Sequence, residues 1–446
     1  MPVFFAAFVF AFKDLWGLPT GQAGGDAHNV GKLLGLRAVR TAICQANRAL
    51  QRCAAMSLSP AFNPVFARLG TTIFTVMSAL ATEHKAVNLG QGFPDLDGPE
   101  SVRARAAKAL MEGPNQYPPM PGVPELRQQL SAHAKRFYGL NYDWHDEVLV
   151  TSGGTEALTS AIMGLAGPGD EVVLIEPAYD SYRPIAEAMG TTVKTITLTP
   201  PDFRLTEAML AAAITPRTRV LMINSPLNPI GRVFDAQELS AIARAVSESN
   251  AYVICDEVYE HLTYDGRPHI PLATLPGLRE RVVRVGSAGK IFSLTGWKVG
   301  WIIGPPELAS VVARAHLFIN FSTPPNLQSA VAFGLEAGEP WIAAMRPRFT
   351  RARDRLTTGL REAGFDVIGG EATYFLCVDL AASGIAMDDE SFAVAAVEQA
   401  GIAVIPLSAF AADDPPRHLV RLCFAKKDET IDAGVAAMAR AKELLA

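Results

Sequence analysis

Cysteine is scarce in this sequence, and the cysteines that are present form no recognisable framework. The chain has five cysteines among 446 residues, an odd number with no Cys-x-x-Cys spacing. We therefore expect neither a disulfide scaffold nor a cysteine-based zinc site, and a reducing compartment such as the cytoplasm is the expected location. The eight histidines include no His-Glu-x-x-His motif, so the sequence predicts no metal site.

The sequence also lacks a strong excess of either charge and a long apolar run. With 40 basic and 45 acidic residues its net charge is −5, which does not favour nucleic acid as a partner. The apolar residues 3–12 are too few to cross a bilayer as a helix, so no membrane association is expected. No Gly-x-x-x-x-Gly-Lys-Ser/Thr motif occurs, which excludes the nucleotide-binding P-loop.

The first 55 residues differ in character from the rest. They carry several arginines and few acidic residues, but their signal-peptide and transit-peptide features are weak. We expect residues 1–55 to be a poorly ordered extension, with Met56 as an alternative start, and a targeting segment stays open as the alternative. Residues 56–85 are expected to form an arm that packs with a small domain.

Short apolar runs alternate with amphipathic stretches from about residue 85. The predicted strands are 148–150, 171–175, 220–223, 252–255, 282–285 and 299–303. Helical patterns such as 155–165 and 237–249 separate several of them, which favours an α/β fold with a mostly parallel sheet. We expect a large domain over 86–340, followed by a smaller α+β domain over 341–446. In the smaller domain the sequence predicts strands at 374–378 and 419–423 and a closing helix from Glu429.

Four polar clusters follow predicted strands. They are Thr151-Ser-Gly-Gly-Thr-Glu-Ala157, Asn224-Ser-Pro-Leu-Asn-Pro-Ile-Gly231, Asp256-Glu-Val-Tyr259 and Ser287-Ala-Gly-Lys290. Each has a plain structural interpretation: a capped helix, a rigid turn, a helix N-cap and a solvated lysine. Because parallel strand ends share one rim of a sheet, we expect the clusters to meet at a ligand site. A lysine enclosed there should have a lowered pKa, as a Schiff-base nucleophile requires.

From about Met56 to its end, the chain resembles the class I, fold-type-I pyridoxal-phosphate aminotransferases, and within them the kynurenine/methionine aminotransferase-like group. The matching stretches occur in the family's order: Asn88-Leu-Gly-Gln-Gly-Phe-Pro-Asp95, Asn115-Gln-Tyr117, Asp256-Glu-Val-Tyr259, Gly286-Ser-Ala-Gly-Lys290, Thr295-Gly-Trp-Lys-Val-Gly300 and Arg421-Leu-Cys-Phe-Ala425. One departure is Ser225-Pro226-Leu227 in the family's Asn-Pro-x-Asn-Pro loop, which keeps Asn228 in register.

The resemblance implies how the residues would hold pyridoxal 5'-phosphate. Lys290 would form the Schiff base and move the substrate proton, and Asp256 would keep the pyridine nitrogen protonated. Asn228 and Tyr259 would contact the phenolic oxygen, while Tyr179 would stack on the ring. Lys290, Asp256 and Tyr259 are the catalytic candidates.

The resemblance also implies ligands for the phosphate and for the substrate. Phosphate would contact Gly154, Thr155, Ser287 and Lys298, the last where the family often has arginine. Tyr117 would reach the phosphate of the partner subunit, which implies a homodimer with shared active sites. Arg421 would bind the substrate α-carboxylate as a bidentate pair, with Gly92 and Asn228 nearby.

The activity expected from the resemblance is ping-pong transfer of an amino group to a 2-oxo acid. The donor would be an uncharged L-amino acid: methionine, glutamine, an aromatic amino acid or a kynurenine-like one. Phe93 and Phe321 fit a pocket for such a side chain. The alternatives are a cysteine-conjugate β-lyase on the same scaffold and a non-catalytic aminotransferase-like regulator, although residues 1–55 are too short for the regulator's DNA-binding module.

Overall fold

The computed structural model describes residues 62–446, so the expectations for residues 1–55 and for a start at Met56 lie outside the described residues. Its contacts divide the chain into Met1–Arg68 and Leu69–Ala446. The described part of the first unit is the short helix Pro64–Arg68. By length and composition alone, Pro64–Glu83 could span a membrane, but residues 69–72 in its middle are not helical.

The helices of the described residues, leaving out short 3-10 and π segments, are α1 (Pro64–Arg68), α2 (Ile73–Glu83), α3 (Glu100–Glu112), α4 (Pro124–Tyr138), α5 (Gly153–Leu165), α6 (Tyr182–Ala188), α7 (Glu207–Ala213), α8 (Ala236–Ser247), α9 (Ala288–Ile291), α10 (Pro306–Ile319), α11 (Pro325–Ala337), α12 (Glu339–Glu362), α13 (Asp389–Ala395) and α14 (Asp428–Leu445). The strands are β1 (Val87–Asn88), β2 (Val148–Thr151), β3 (Glu171–Glu176), β4 (Thr192–Thr197), β5 (Thr218–Asn224), β6 (Tyr252–Asp256), β7 (Val282–Ser287), β8 (Gly300–Ile303), β9 (Asp366–Gly369), β10 (Phe375–Asp379), β11 (Ile402–Ala403), β12 (Ile405–Pro406) and β13 (Leu419–Cys423).

The larger sheet has seven strands in the order β2-β8-β7-β6-β5-β3-β4. Its neighbours from β7 to β4 pair in parallel, while β8 runs antiparallel to both β2 and β7. All six predicted strands are present, and the mostly parallel sheet is confirmed. Sequence analysis missed β4, an edge strand in which polar threonine and lysine residues interrupt the apolar pattern.

The central strands are apolar because helices cover both faces of the sheet. Every residue of β2, β3, β7 and β8 is buried, as parallel-type sheets of α/β proteins require. Helix α5 packs against α10 on its outer side and against β6, β7 and β8 on its inner side. This packing fixes the first residues of α5 beside the ends of the central strands.

A second sheet has four antiparallel strands in the order β12-β13-β10-β9 and lies within the predicted smaller α+β domain. The predicted strands at 374–378 and 419–423 and the closing helix from 429 match β10, β13 and α14 within a residue. Helix α2 contacts β11 and α13, which lie in this C-terminal part. The boundary between 340 and 341 stays a prediction.

Candidate active site

The ends of the central strands surround a cavity of about 340 Å³. Strands β5, β6 and β7 deliver residues to it from their carboxyl ends, and α5 begins at the same rim directly after β2. The lining residues used below are Phe74, Gly92, Gly154, Thr155, Tyr179, Asp180, Asn224, Asn228, Asp256, Tyr259, Ser287, Lys290, Lys298, Phe375 and Arg421. The four strand-end clusters therefore meet, as the sequence predicted.

Lys290 lies in the short helix α9, one turn beyond the end of β7. Its Nζ donates a hydrogen bond to the Tyr374 hydroxyl at 2.8 Å, and that hydroxyl donates in turn to the Gly92 carbonyl at 2.8 Å. Burial lowers the pKa of Lys290 to about 8, although Asp256 opposes the effect. The expected lowering is confirmed, and it brings a neutral, nucleophilic amine within reach of ordinary pH.

Asp256 ends β6 with a buried carboxylate. The Tyr182 hydroxyl donates to its Oδ2 at 2.5 Å, and the Val258 amide donates to its Oδ1 at 3.2 Å. Burial raises the pKa of Asp256 to about 6, since these hydrogen bonds and the nearby Lys290 only partly offset desolvation. A cationic ring nitrogen in the cavity would supply the charge that this carboxylate lacks.

The start of α5 is built to hold an anion. Gly153 has φ of +79°, a conformation that suits glycine, and it turns the chain from β2 directly into the helix. The Ser152 side chain makes no capping hydrogen bond, and the Ser152 amide donates to Glu156 Oε2 at 3.0 Å, which leaves the amides of the following residues to bind an anion. Lys298 brings its ammonium beside Gly153, and Ser287 adds a hydroxyl on the same wall. This set fits a phosphate group.

Arg421, on β13, is a buried guanidinium without a carboxylate partner within 4.0 Å among residues 62–446. Its Nη1 donates to Asn228 Oδ1 at 3.0 Å and its Nη2 donates to the Gly90 carbonyl at 2.9 Å, while its Nε has no partner. The guanidinium lies 4.0 Å from the centre of the Phe375 ring. Such a group can bind a substrate carboxylate by donating two parallel hydrogen bonds to it.

Asn228 belongs to a loop that hydrogen bonds anchor to the sheet. Asn224, at the end of β5, donates through Nδ2 to the Asp256 carbonyl at 2.9 Å and accepts the Asn228 amide at 2.8 Å. Tyr259 stands opposite, with its ring centre 5.1 Å from Lys290 Nζ, and burial raises the pKa of its hydroxyl. Both side chains border the space beside Lys290.

The remaining predicted residues divide into two groups. Tyr179 lines the cavity, with its hydroxyl 3.4 Å from Thr155 Oγ1, and Gly92 lines it as well. Tyr117 does not line the cavity of this chain: its side chain is 84% exposed and its ring packs on Phe321. The cavity of one chain is thus built without Tyr117.

Three residues at or behind the cavity wall escaped sequence analysis. Tyr182 holds Asp256, Tyr374 holds Lys290, and Asp180 lines the cavity with a carboxyl whose pKa is raised by burial. Asp180 and Tyr182 lie just after Tyr179, so their position beside a predicted ring-stacking residue was the available signal. Tyr374 was interpreted only as the first residue of a strand.

The proposed pocket residues Phe93 and Phe321 are also placed differently from the expectation. Both are at least 40% exposed, and neither lines the cavity. Phe74 and Phe375 supply aromatic surface there instead, beside Arg421. The apolar part of the pocket is therefore formed by residues of α2 and β10.

A lowered-pKa lysine, a buried aspartate and an anion-binding helix start around one cavity suit pyridoxal 5'-phosphate, and together with the fold they define a fold-type-I pyridoxal-phosphate-dependent enzyme. The chain belongs to the class I and II aminotransferases, whose family model matches residues 84–438. It is thus a pyridoxal-phosphate-dependent transaminase that acts on amino acids and 2-oxo acids.

Three relatives illustrate the family membership. The chain is 45% identical to N-succinyldiaminopimelate aminotransferase from Mycobacterium tuberculosis, with a TM-score of 0.82 over 85% of this chain and 99% of that structure. It is 41% identical to methionine aminotransferase from Escherichia coli, over 84% of this chain and 97% of the relative. Identity to kynurenine–oxoglutarate transaminase from Dictyostelium discoideum is 36%, over 81% and 92%. All three names describe aminotransferases, so the lyase and regulator alternatives are not favoured.

Proposed function

We propose that this aminotransferase takes its amino group from an uncharged L-amino acid such as methionine, glutamine, an aromatic amino acid or a kynurenine-like one. The observation that carries the proposal is the charge of the cavity wall. Among the described lining residues the cations are Lys290, Lys298 and Arg421, and each already has a use: base, phosphate ligand and α-carboxylate ligand. A donor with a second carboxylate would meet no further cation among the described residues of this chain and would face Asp180.

In this proposal, four side chains perform the work around the cofactor. When bound, pyridoxal 5'-phosphate supplies an electron sink for the carbanion that forms at the substrate Cα. Asp256 holds the ring nitrogen protonated, and Tyr182 keeps that carboxylate ionised and oriented. Lys290 removes the proton from Cα and returns a proton to complete the exchange, while Arg421 holds the substrate carboxylate.

The position of Tyr374 gives Lys290 a defined resting place. Its hydroxyl accepts from Nζ and donates to the Gly92 carbonyl, so the amine is held by a short chain of hydrogen bonds. A lysine side chain has several rotatable bonds and could otherwise adopt many positions. The contact with Tyr374 keeps its amine in the space between Tyr259 and Tyr374. Proton transfer benefits from that restriction.

We also propose a homodimer in which Tyr117 contributes to the partner's phosphate site. The support is its exposure, together with that of Phe318 and Phe321 on the same chain, which leaves apolar surface uncovered. Analytical ultracentrifugation of the holoenzyme should give a dimer. In a dimer of one Lys290→Ala chain and one Tyr117→Ala chain, each site takes Lys290 from one chain and Tyr117 from the other. One site then carries both substitutions and the other site carries neither, so such dimers should have about half of the wild-type activity. A mixture without recovered activity would contradict the sharing of residues.

The donor preference is tested by the first half-reaction alone, which needs no acceptor. The bound cofactor's absorbance change is measured with methionine, glutamine, phenylalanine, kynurenine and aspartate as separate donors. We expect the uncharged donors to react with the larger ratio of rate to half-saturating concentration. A strong preference for aspartate would refute the pocket interpretation while leaving the transaminase assignment intact.

A second candidate donor is N-succinyldiaminopimelate, favoured by the 45% identity to the Mycobacterium tuberculosis enzyme named for it. This donor carries additional carboxylates, which Asp180 would oppose inside the cavity. Adding it to the donor panel distinguishes the two proposals directly. If it exceeds methionine at equal concentration, the second candidate replaces the first.

A further inference from the structure

Outside the cofactor cavity, three buried side chains bring potential metal-binding atoms together. They are His133, on α4, and Glu260 and His261, four and five residues beyond Asp256. Each is at most 5% exposed, and none lines the cavity. The binding atoms, one from each side chain, lie within 4.8 Å of one another.

Two of the three distances between these atoms are close to those in the ligand shell of a small cation. His133 Nε2 lies 3.1 Å from His261 Nε2 and 3.5 Å from Glu260 Oε1. Zinc binds imidazole nitrogen and carboxylate oxygen at about 2.0–2.2 Å in tetrahedral geometry, so neighbouring ligand atoms are about 3.3–3.5 Å apart. Two imidazoles and one carboxylate are three of the four ligands of a tetrahedral zinc site, and a water molecule would supply the fourth.

Hydrogen bonding among the described residues does not satisfy the cluster. The contact between the two Nε2 atoms accommodates only one proton, and His133 Nδ1 has no hydrogen-bond partner. Buried polar atoms without partners are costly, so native proteins rarely keep them without a ligand, water or ion. The unpartnered nitrogen belongs to one of the three candidate ligands.

The buried charges around the cluster are also unequal. Glu257 and Glu260 share one guanidinium, that of Arg284, whose Nε lies 2.6 Å from Glu257 Oε2 and whose Nη2 lies 3.6 Å from Glu260 Oε2. All three side chains are buried, which leaves one negative charge without a permanent buried cation. A divalent cation, a protonated His133 or a protonated His269, whose Nε2 lies 3.5 Å from Glu257 Oε2, would offset it.

We propose that His133, Glu260 and His261 bind one zinc ion, which clamps α4 to the segment that follows Asp256. The ion's role is structural, because the cluster lies outside the cavity and contacts none of the groups assigned to the substrate. The clamp fixes the segment that carries Asp256 and Tyr259. The sequence predicted no metal site because short metal-binding motifs place their ligands close together, whereas Glu260 lies 127 positions beyond His133.

Zinc content of the purified holoenzyme tests the proposal. The protein is stripped with a chelator, supplied with zinc chloride alone, desalted and measured by inductively coupled plasma mass spectrometry. We expect about one zinc per chain in the wild type and below about a tenth of that in His133→Gln and in Glu260→Gln. His145→Gln, which changes an exposed histidine outside the cluster, is the matched control and should retain the zinc.

A second measurement needs no variant and therefore does not depend on the variants folding. Cobalt(II) in place of zinc should give the intense visible bands of tetrahedral coordination, and zinc should raise the melting temperature of the stripped protein. Weak octahedral-type bands, or equal zinc content in the wild type and in folded His133→Gln, would overturn the proposal. The cluster would then be a hydrogen-bonded network with a protonated histidine.

Discussion

The contact between Tyr182 and Asp256 offers a sharp test of how the site holds its cofactor. The Tyr182 hydroxyl donates to Asp256 Oδ2 at 2.5 Å, and both side chains are buried. Tyr182→Phe removes the hydroxyl and keeps the ring. Burial already raises the pKa of Asp256 to about 6, and losing this hydrogen bond raises that pKa further, because the bond favours the ionised form.

The size of the effect follows from the charge of the acceptor. A hydrogen bond to an ionised group contributes about 1.5–3 kcal/mol, and about 1.4 kcal/mol corresponds to a factor of ten. At a pH below about 6 the variant should therefore lose roughly 10- to 100-fold in kcat, because a protonated Asp256 cannot hold a positive charge on the ring nitrogen. The pH above which the apoenzyme takes up cofactor should also rise, by about one pH unit or more.

Two measurements separate this role from a general loss of stability. Cofactor uptake is followed by absorbance over pH, and kcat is measured with saturating cofactor and donor. Tyr264→Phe is the matched control, since it removes another buried tyrosine hydroxyl, which donates to the Thr373 carbonyl at 2.5 Å. A Tyr182→Phe enzyme with kcat within about twofold of wild type and an unshifted uptake profile would refute the reasoning.

Three further substitutions test other residues of the cavity. Lys290→Met should stabilise the apoenzyme at pH 7, because burial lowers the pKa of Lys290 from 10.5 to about 8. Between about pH 8 and 10.5 the unfolded chain retains a proton that the folded chain has lost, so the free energy of unfolding of the wild type, measured in urea, should rise by up to about 3 kcal/mol with pH. Equal stability of the two proteins at pH 7 would contradict this. Arg421→Lys should lower kcat/KM about 100-fold with unchanged cofactor content, since lysine loses the planar fork; a loss below about threefold would contradict a bidentate contact. Asp180→Asn should raise kcat/KM for aspartate relative to methionine about tenfold, and an unchanged ratio would remove Asp180 from donor selection.

The sequence predicted the fold well where burial is complete. Strands such as β3 and β5 are continuous apolar runs because both faces are covered, so their pattern is unambiguous. Strand β4 lies at the sheet edge and is partly exposed, so its alternating polar residues resemble a loop. The hydrophobic pattern of a segment therefore predicted a strand where the whole segment is buried, and failed where the segment is partly exposed.

The candidate site was predictable where chemistry and chain position coincide. Asp256, Ser287 and Lys290 all lie at or just beyond strand ends, where a ligand site of an α/β protein is expected. Tyr374 and Tyr182 act through contacts with residues 84 and 74 positions away. No spacing within the sequence could indicate such contacts, because they depend on how separate elements pack.

The distance between Lys290 and Arg421 also depends on how separate elements pack, so the sequence around either residue does not predict it. Lys290 comes from the seven-stranded sheet and Arg421 from the four-stranded one, and the loop that carries Asn228 lies between them, hydrogen-bonded to Arg421 at 3.0 Å. That loop approaches β10 so closely that a Cβ atom on Gly231, which has φ of +76°, would lie 2.1 Å from the Phe375 carbonyl oxygen. Glycine at 231 therefore sets how near the two sheets come. Because a bound amino acid must reach Lys290 with its amino group and Arg421 with its carboxylate, this packing sets the spacing of the two side chains that every donor must meet.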